Sequence, residues 1–214
     1  MINWLGLHEN DRTALFLDGA NLYKMARNLG FDIDYKALLR KTNQASRLLR
    51  ASYYTVIQED RDQDYSPLRP LVDWLDYNGY HMVTKIARDY TDATGKRRYR
   101  GSIDVELATD LLTLSDRIDV AVLFSGNGDF RRAIEALQAK GVRVVVVSTV
   151  KSSPPMASDE MRRQADLFID LADLEPVIGR KGNGHHAPKP SAKEDDDDDE
   201  YEDEEYDDDD EYED

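Results

Sequence analysis

Between residues 119 and 149 the chain carries two almost uninterrupted apolar runs, DVAVLFS and VRVVVVST, joined by the amphipathic segment DFRRAIEALQAKG. A strand exposed on one face alternates apolar with polar side chains, whereas a run that is apolar throughout is buried on both faces. Strands of this kind joined by a helix imply right-handed crossovers in a mostly parallel sheet. The same grammar runs through the earlier residues. TALFLDG (13–19) reads as a strand, and ANLYKMARNLG has helical spacing that ends at Gly30. DYKALLRKTNQ predicts a helix capped by Asp34, and LLRASYYTVI (48–57) is rich in β-formers. SPLRPLVDWLDYNG predicts a helix begun by Ser66 and Pro67 and stopped at Gly79; the strand YHMVTKIAR follows. SIDVELATDLLTLSDR puts Ile103, Leu107, Leu111 and Leu114 on one helical face. ASDEMRRQADL and FIDL close the series as helix and strand.

The expected fold is therefore α/β, with a mostly parallel central sheet in three layers. A length of 214 residues suits one such domain. The chain has no cysteine, which excludes disulfides and thiolate metal sites, and its four histidines leave any metal to oxygen donors. Magnesium and manganese fit that supply. The N-terminal MINWLGLHENDR has no basic region followed by a long apolar run, and no stretch approaches the roughly 18 apolar residues of a bilayer span. The expectation is a soluble, cytoplasmic chain without a membrane partner.

The net charge of −16 is not spread evenly. Residues 187–214 hold 18 of the 44 acidic side chains and 2 of the 28 basic ones, so residues 1–186 balance 26 against 26. The run EDDDDDEYEDEEYDDDDEYED has no aliphatic side chain to bury and repels itself, which predicts a disordered tail. The expected organisation is an N-terminal extension (1–11), the α/β domain (12–178), a flexible linker (179–193) and the acidic tail (194–214).

In an open parallel sheet, ligands bind outside the carboxyl ends of the strands, near a reversal of strand order. Asp18 ends the first strand, Asn127 and Asp129 follow the strand near 120, and Asp104 opens a helix after a loop. Each has a bland explanation when taken alone: Asp18 and Asp129 as helix caps, Asp104 as an acid favoured in a first helical turn. Together, three carboxylates brought to one edge repel unless a cation lies between them. Gly126 and Gly128 flank Asn127, and two glycines there suggest close approach of a ligand to the backbone.

LFLDGANLY, RGSIDVELATDLL and VLFSGNGDFRRAIEALQAKGVRVVVV resemble, in order, the three signature blocks of the NYN domain, in the LabA-like branch of the PIN-like nuclease superfamily. The resemblance covers about residues 12–175. It implies a Rossmann-like PIN fold and a metal-dependent ribonuclease site. Position by position, it implies metal-ligand or catalytic roles for Asp18, Asp104 and Asp129, a supporting polar role for Asn21, and contributions from Ser125 and Asp110. One position departs: the family commonly has Asp where this chain has Asn127. An amide oxygen can coordinate but brings no negative charge and takes no proton as a base.

The chemistry expected is phosphodiester hydrolysis aided by Mg2+ or Mn2+, with RNA as substrate. KIARDYTDATGKRRYRGSID supplies Lys85, Arg88, Lys96, Arg97, Arg98 and Arg100 just before Asp104, with Tyr90 and Tyr99 interleaved. Cations of this kind hold a nucleic-acid backbone and tyrosines stack on unpaired bases, although a solvated hairpin would read the same way. The tail suits competition with RNA for this basic stretch, a solubility role, or docking of a basic protein partner. The rival to an enzyme is an RNA-binding adaptor that keeps the pocket and has lost turnover through Asn127. A phosphatase that uses a strand-end Asp as nucleophile ordinarily wants a second Asp two residues on, where this chain has Ala20, and no GxxxxGK[ST] loop is present. No sequence feature sets an oligomeric state.

Overall fold

The computed structural model describes residues 4–57, 68–91 and 97–180. Ser66, Pro67, Lys96, residues 181–193 of the expected linker and the acidic tail 194–214 lie outside the described residues.

Six parallel strands form the central sheet: β1 (Arg12–Asp18), β2 (Arg47–Ile57), β3 (His81–Ile86), β6 (Val120–Phe124), β7 (Arg143–Ser148) and β8 (Leu167–Asp170). Their spatial order is β3-β2-β1-β6-β7-β8. The chain thus builds outward from β1 to β3, returns beside β1 as β6, and builds outward the other way. The reversal lies between β1 and β6, where Leu17 pairs with Phe124. Between β3 and the next helix, β4 (Arg88–Thr91) and β5 (Arg97–Arg100) form a separate antiparallel ribbon.

Helices α1 (Gly19–Leu29), α2 (Tyr35–Ala45), α3 (Arg69–Tyr77) and α7 (Glu175–Ile178) cover one face of the sheet; α4 (Asp104–Leu114), α5 (Arg131–Ala139) and α6 (Asp159–Gln164) cover the other. The apolar runs explain why both faces are needed. In β1, Leu15 and Leu17 enter the first core while Ala14 and Phe16 enter the second; in β7, Val145 and Val147 oppose Val144 and Val146. Each fully buried side chain of this size contributes roughly 1.5–3 kcal/mol over leaving it in water.

Local chemistry sets the helix ends as expected. The Asp34 carboxylate accepts from the Ala37 N–H at 2.9 Å, and Gly30 closes α1 at φ 82°, in the left-handed region. Helix α3 begins at Arg69, with Pro70 in its first turn. Trp4–Gly6 forms a short 3-10 turn, and Leu5 and Leu7 are buried in the first core, so the segment before β1 packs on the domain. At the other end Gly179 bridges to Ile33, and the Arg180 N–H donates to the Asp32 carbonyl at 2.8 Å. Among the described residues no helix is long and apolar enough to cross a membrane.

Candidate active site at the carboxyl edge of the sheet

Asp18 is the last residue of β1 and the N-cap of α1. Its Oδ1 accepts from the Asn21 N–H at 3.2 Å, an ordinary capping bond. Its Oδ2 accepts from the Ser125 hydroxyl at 2.9 Å, across the β1–β6 boundary. The carboxylate is therefore a cap and also part of a bond network between two loops. The Asn21 side chain closes the same clasp from the other side, because its Oδ1 accepts from the Gly126 N–H at 3.1 Å. Ser125 in turn accepts from the Asn127 N–H at 3.2 Å.

This clasp sits at the strand-order reversal, the place where open parallel sheets bind ligands. Asp18 is only 6% exposed. Burial pushes its pKa above the ordinary carboxylate value, and the charge of Asp104 pushes in the same direction; the bonds from Asn21 and Ser125 offset this in part. A desolvated carboxylate that also feels a second negative charge is in an environment that a cation relieves.

Asp104 opens α4 and is half-buried. Its Oδ2 accepts from the Ser102 hydroxyl at 2.9 Å, while its own N–H donates to that hydroxyl at 3.2 Å. Asp110, further along α4, accepts from the buried Tyr54 hydroxyl at 3.0 Å. Tyr54 pairs in register with Asp18, so β2 ties Asp110 to the level of the site. Asp129 lies exposed on the 3-10 turn Gly128–Phe130, and its N–H donates to the Asn127 Oδ1 at 3.0 Å. The Asn127 amide oxygen is thus engaged in capping that turn.

Asp18, Asn21, Ser125, Gly126 and Asn127 are joined by hydrogen bonds, and the charge of Asp104 reaches Asp18. Among the described residues no group of three or more acidic or histidine side chains is arranged to hold a metal ion. Asp18, whose Oδ2 accepts from the Ser125 hydroxyl, and Asp104, whose charge acts on it, make up an all-oxygen donor set. It suits Mg2+ or Mn2+, hard cations; magnesium in particular takes one or two carboxylates and completes its shell with water and phosphate oxygens. Of the expected substrate-binding cations, Arg97, Arg98 and Arg100 lie in β5, which leads directly into the loop before Asp104.

The glycines around Asn127 suggest room for a ligand, but the structure fills that room at Gly126, where a Cβ would lie 1.9 Å from the Met156 carbonyl oxygen and 2.6 Å from the Ser148 hydroxyl. The close approach is made by the chain's own loop after β7. A Cβ on Gly128 would come no closer than 3.2 Å to any neighbour, the Ser158 hydroxyl.

Two further residues support the site without being foreseen. Ser102 lies two residues before Asp104, a spacing at which hydroxyls often bond the backbone N–H, and this is a readable signal. Tyr54 had none, because its bond to Asp110 depends on β2 lying beside β1.

The family model for the NYN domain matches residues 12–174. The low amplitude and bright protein LabA of Synechococcus elongatus is 34% identical over 171 residues, which cover 78% of this chain and 87% of that protein. A crystal structure of a protein of unknown function from Vibrio parahaemolyticus is similar in fold, with a TM-score of 0.63 and 21% identity, covering 80% of this chain and 98% of that one. The family match spans the eight strands of the described residues and the whole hydrogen-bonded clasp, and the chain is a LabA-like member of the NYN domain family.

Proposed function

We propose that the protein hydrolyses RNA phosphodiester bonds with the aid of a divalent cation, at a site centred on Asp18 and Asp104. The observation that carries this reading is the state of Asp18: buried, raised in pKa chiefly by that burial, bonded across the two loops to Ser125, and placed at the reversal of strand order. Membership of a family grouped with the PIN-like nucleases supports RNase-type chemistry, and RNA is the ligand that NYN domains generally bind. Magnesium or manganese, when bound, supplies an activated water and positive charge for the scissile phosphate.

The chain's own residues supply the rest. Asp18 and Asp104 would hold the cation, and the Asn21 N–H and Ser125 hydroxyl fix the Asp18 carboxylate in one orientation before substrate arrives. Ser102 does the same for Asp104. Asp129, exposed on the neighbouring turn, is the third carboxylate of the proposal. Lys96, Arg97, Arg98 and Arg100 hold the RNA backbone. Ser125, expected to contact substrate, is fully buried and acts instead through Asp18, whereas Asn127 is half-buried and is the residue of the two offered to substrate.

A second reading, an RNA-binding adaptor with little or no turnover, is favoured by one observation: position 127 is an amide whose oxygen is engaged in capping the Gly128–Phe130 turn. One experiment separates the readings. Purified protein is incubated with a mixed RNA pool and manganese beside Asp18→Asn, Asp104→Asn and Asp129→Asn. Cleavage lost in the first two supports the site; cleavage that survives both removes it. Binding without cleavage by the native chain selects the adaptor.

A further inference from the structure

Helix α1 springs directly from Asp18, and its first turn supplies the Asn21 side chain that closes the clasp on Gly126. Leu22, Met25 and Ala26 enter the first core, which leaves Ala20, Tyr23, Lys24 and Arg27 on the opposite side at the helical spacing i, i+3, i+4, i+7. All four are exposed, Tyr23 to 44%. At a rise of about 1.5 Å per residue, Tyr23 lies about 7 Å and Arg27 about 13 Å along the helix axis from Asp18. The stripe therefore begins at the site and leads away from it.

The charges of the covering helices are segregated. On one face of the sheet, α1 carries Lys24 and Arg27, α2 carries Lys36, Arg40 and Lys41, and neither holds an acidic residue. On the other face, α4 carries Asp104, Glu106 and Asp110 and no basic residue. A helix face that serves only solubility mixes the two signs and pairs them. Helices α5 and α6 do this, Arg132 pairing with Glu135 and Arg162 with Asp159 one turn away. Among the described residues no ion pair involves Lys24 or Arg27. Arg27 in the last turn of α1 favours the helix dipole, and one exposed tyrosine is ordinary. Neither fact accounts for a ring and two cations in one stripe that starts at the Asp18 carboxylate, on a helix without an acid.

We propose that the outer stripe of α1, Tyr23, Lys24 and Arg27, holds the stretch of single-stranded RNA next to the scissile bond, with Tyr23 stacked on a base and the two cations against phosphates. This deepens the ribonuclease reading and rests on it. Lysine and arginine draw in any phosphate backbone, and an aromatic ring accepts any base, so the stripe sets no sequence. It does select strandedness. A base within a duplex is stacked on both faces and offers none to the ring, whereas an unpaired base does. An acidic protein segment would engage the cations and leave the ring idle, and it is the position of Tyr23, between Asp18 and the cations, that favours nucleic acid.

The test titrates a fluorescent single-stranded oligoribonucleotide with full-length protein, without divalent ions, from about 0.05 M to about 0.3 M salt. Lys24→Gln/Arg27→Gln should lower the slope of log affinity against log salt by about 1.4, at about 0.7 per single-strand phosphate released, and weaken binding about tenfold at about 0.1 M salt. Tyr23→Ala should weaken binding at least about fivefold with the slope unchanged, and Tyr23→Phe, which keeps the ring, should restore it. Arg47→Gln/Arg117→Gln removes the same charge from exposed positions at the opposite edge, beside the starts of β2 and β6, and should leave the slope as it was. All of these side chains are exposed, so melting temperatures should match the native chain's. A native chain that binds or cuts RNA, with affinity and slope unchanged in Lys24→Gln/Arg27→Gln and in Tyr23→Ala, keeps the ribonuclease reading and overturns the stripe. A slope that falls equally in Arg47→Gln/Arg117→Gln overturns it too, because the attraction is then diffuse. An oligoaspartate of equal charge that binds as tightly and is lost in the same double variant replaces RNA with an acidic protein segment as the occupant. A native chain that neither binds the oligoribonucleotide nor cuts it in manganese removes the ribonuclease reading itself.

Discussion

Replacing Gly126 with alanine tests whether this position is small for the fold or for a ligand. The new Cβ would stand 1.9 Å from the Met156 carbonyl oxygen, and real Cβ contacts do not fall below 3.0 Å. The Met156 peptide must therefore move by about 1 Å, since Gly126 is buried in a strand-end loop and has little freedom to move itself. That peptide is held by neighbouring bonds: the Met156 and Ala157 N–H groups both donate to the Thr149 carbonyl at 3.0 Å, and the Ser158 N–H donates to the Gly126 carbonyl at 3.3 Å. Weakening three such bonds costs about 1 kcal/mol each. The lower unfolded-state entropy of alanine returns about 0.4–1 kcal/mol. The net loss is about 2–3 kcal/mol, or a fall in Tm of about 5–10 °C for a domain of this size. Gly128→Ala is the control, because its nearest neighbour is the end of the Ser158 side chain at 3.2 Å, which can rotate away. Its Tm should stay within about 2 °C of the parent's. Calorimetric melts of the three proteins, with RNA cleavage assayed beside them, decide the matter. A Gly126→Ala protein with the parent's Tm and abolished cleavage would refute the reasoning and restore the ligand explanation.

Asp18→Asn removes a carboxylate whose folded pKa is raised, so the folded protein binds more protons than the unfolded one between the ordinary value of 3.8 and the folded value. Against Asp18→Asn as reference, the native chain should lose stability as pH rises through that window and hold a constant deficit above it; a difference that does not vary with pH contradicts the assigned environment. Tyr54→Phe deprives Asp110 Oδ2 of its donor and should cost about 1–2 kcal/mol in urea unfolding. An unchanged midpoint would show that water replaces the phenol. Asn127→Asp keeps an oxygen for the Asp129 N–H and should fold with unchanged Tm, while the added charge raises manganese-dependent cleavage several-fold. A loss of cleavage there would mean that the amide is needed.

The sheet was legible because parallel strands buried on both faces leave an unmistakable trace in Val144–Val147 and in Ala121–Phe124. The helix caps Asp34 and Asp18 were legible for a local reason, since a cap depends on neighbours within three residues. The bond from Ser125 to Asp18 spans 107 positions and exists only because β6 lies beside β1, which no local pattern encodes. Gly126 misled for the same reason. A small residue at a strand end signals that something comes close, but the Met156 carbonyl arrives from thirty positions away. What composition could not convey was the division of labour at Asn127, whose side-chain oxygen holds the Gly128–Phe130 turn.

On the proposed reading, attraction and chemistry sit on different elements of one edge, and this makes them separable. The ribbon that carries Arg88, Arg97, Arg98 and Arg100 sets how strongly a polyanion is drawn in, and that term falls with salt in proportion to the phosphates neutralised. Asp18 and Asp104 add negative charge that weakens the same attraction until a cation is bound, so substrate affinity should rise with divalent concentration for a reason unrelated to turnover. Neutralising Asp18 alone should then tighten RNA binding in the absence of divalent ions while abolishing cleavage in their presence. Neutralising ribbon arginines should reduce the salt slope of binding and leave the cleavage rate at saturation unchanged. Two elements carrying opposite charge give variants with opposite signatures, whereas a single site that both binds and cuts would lose both properties together.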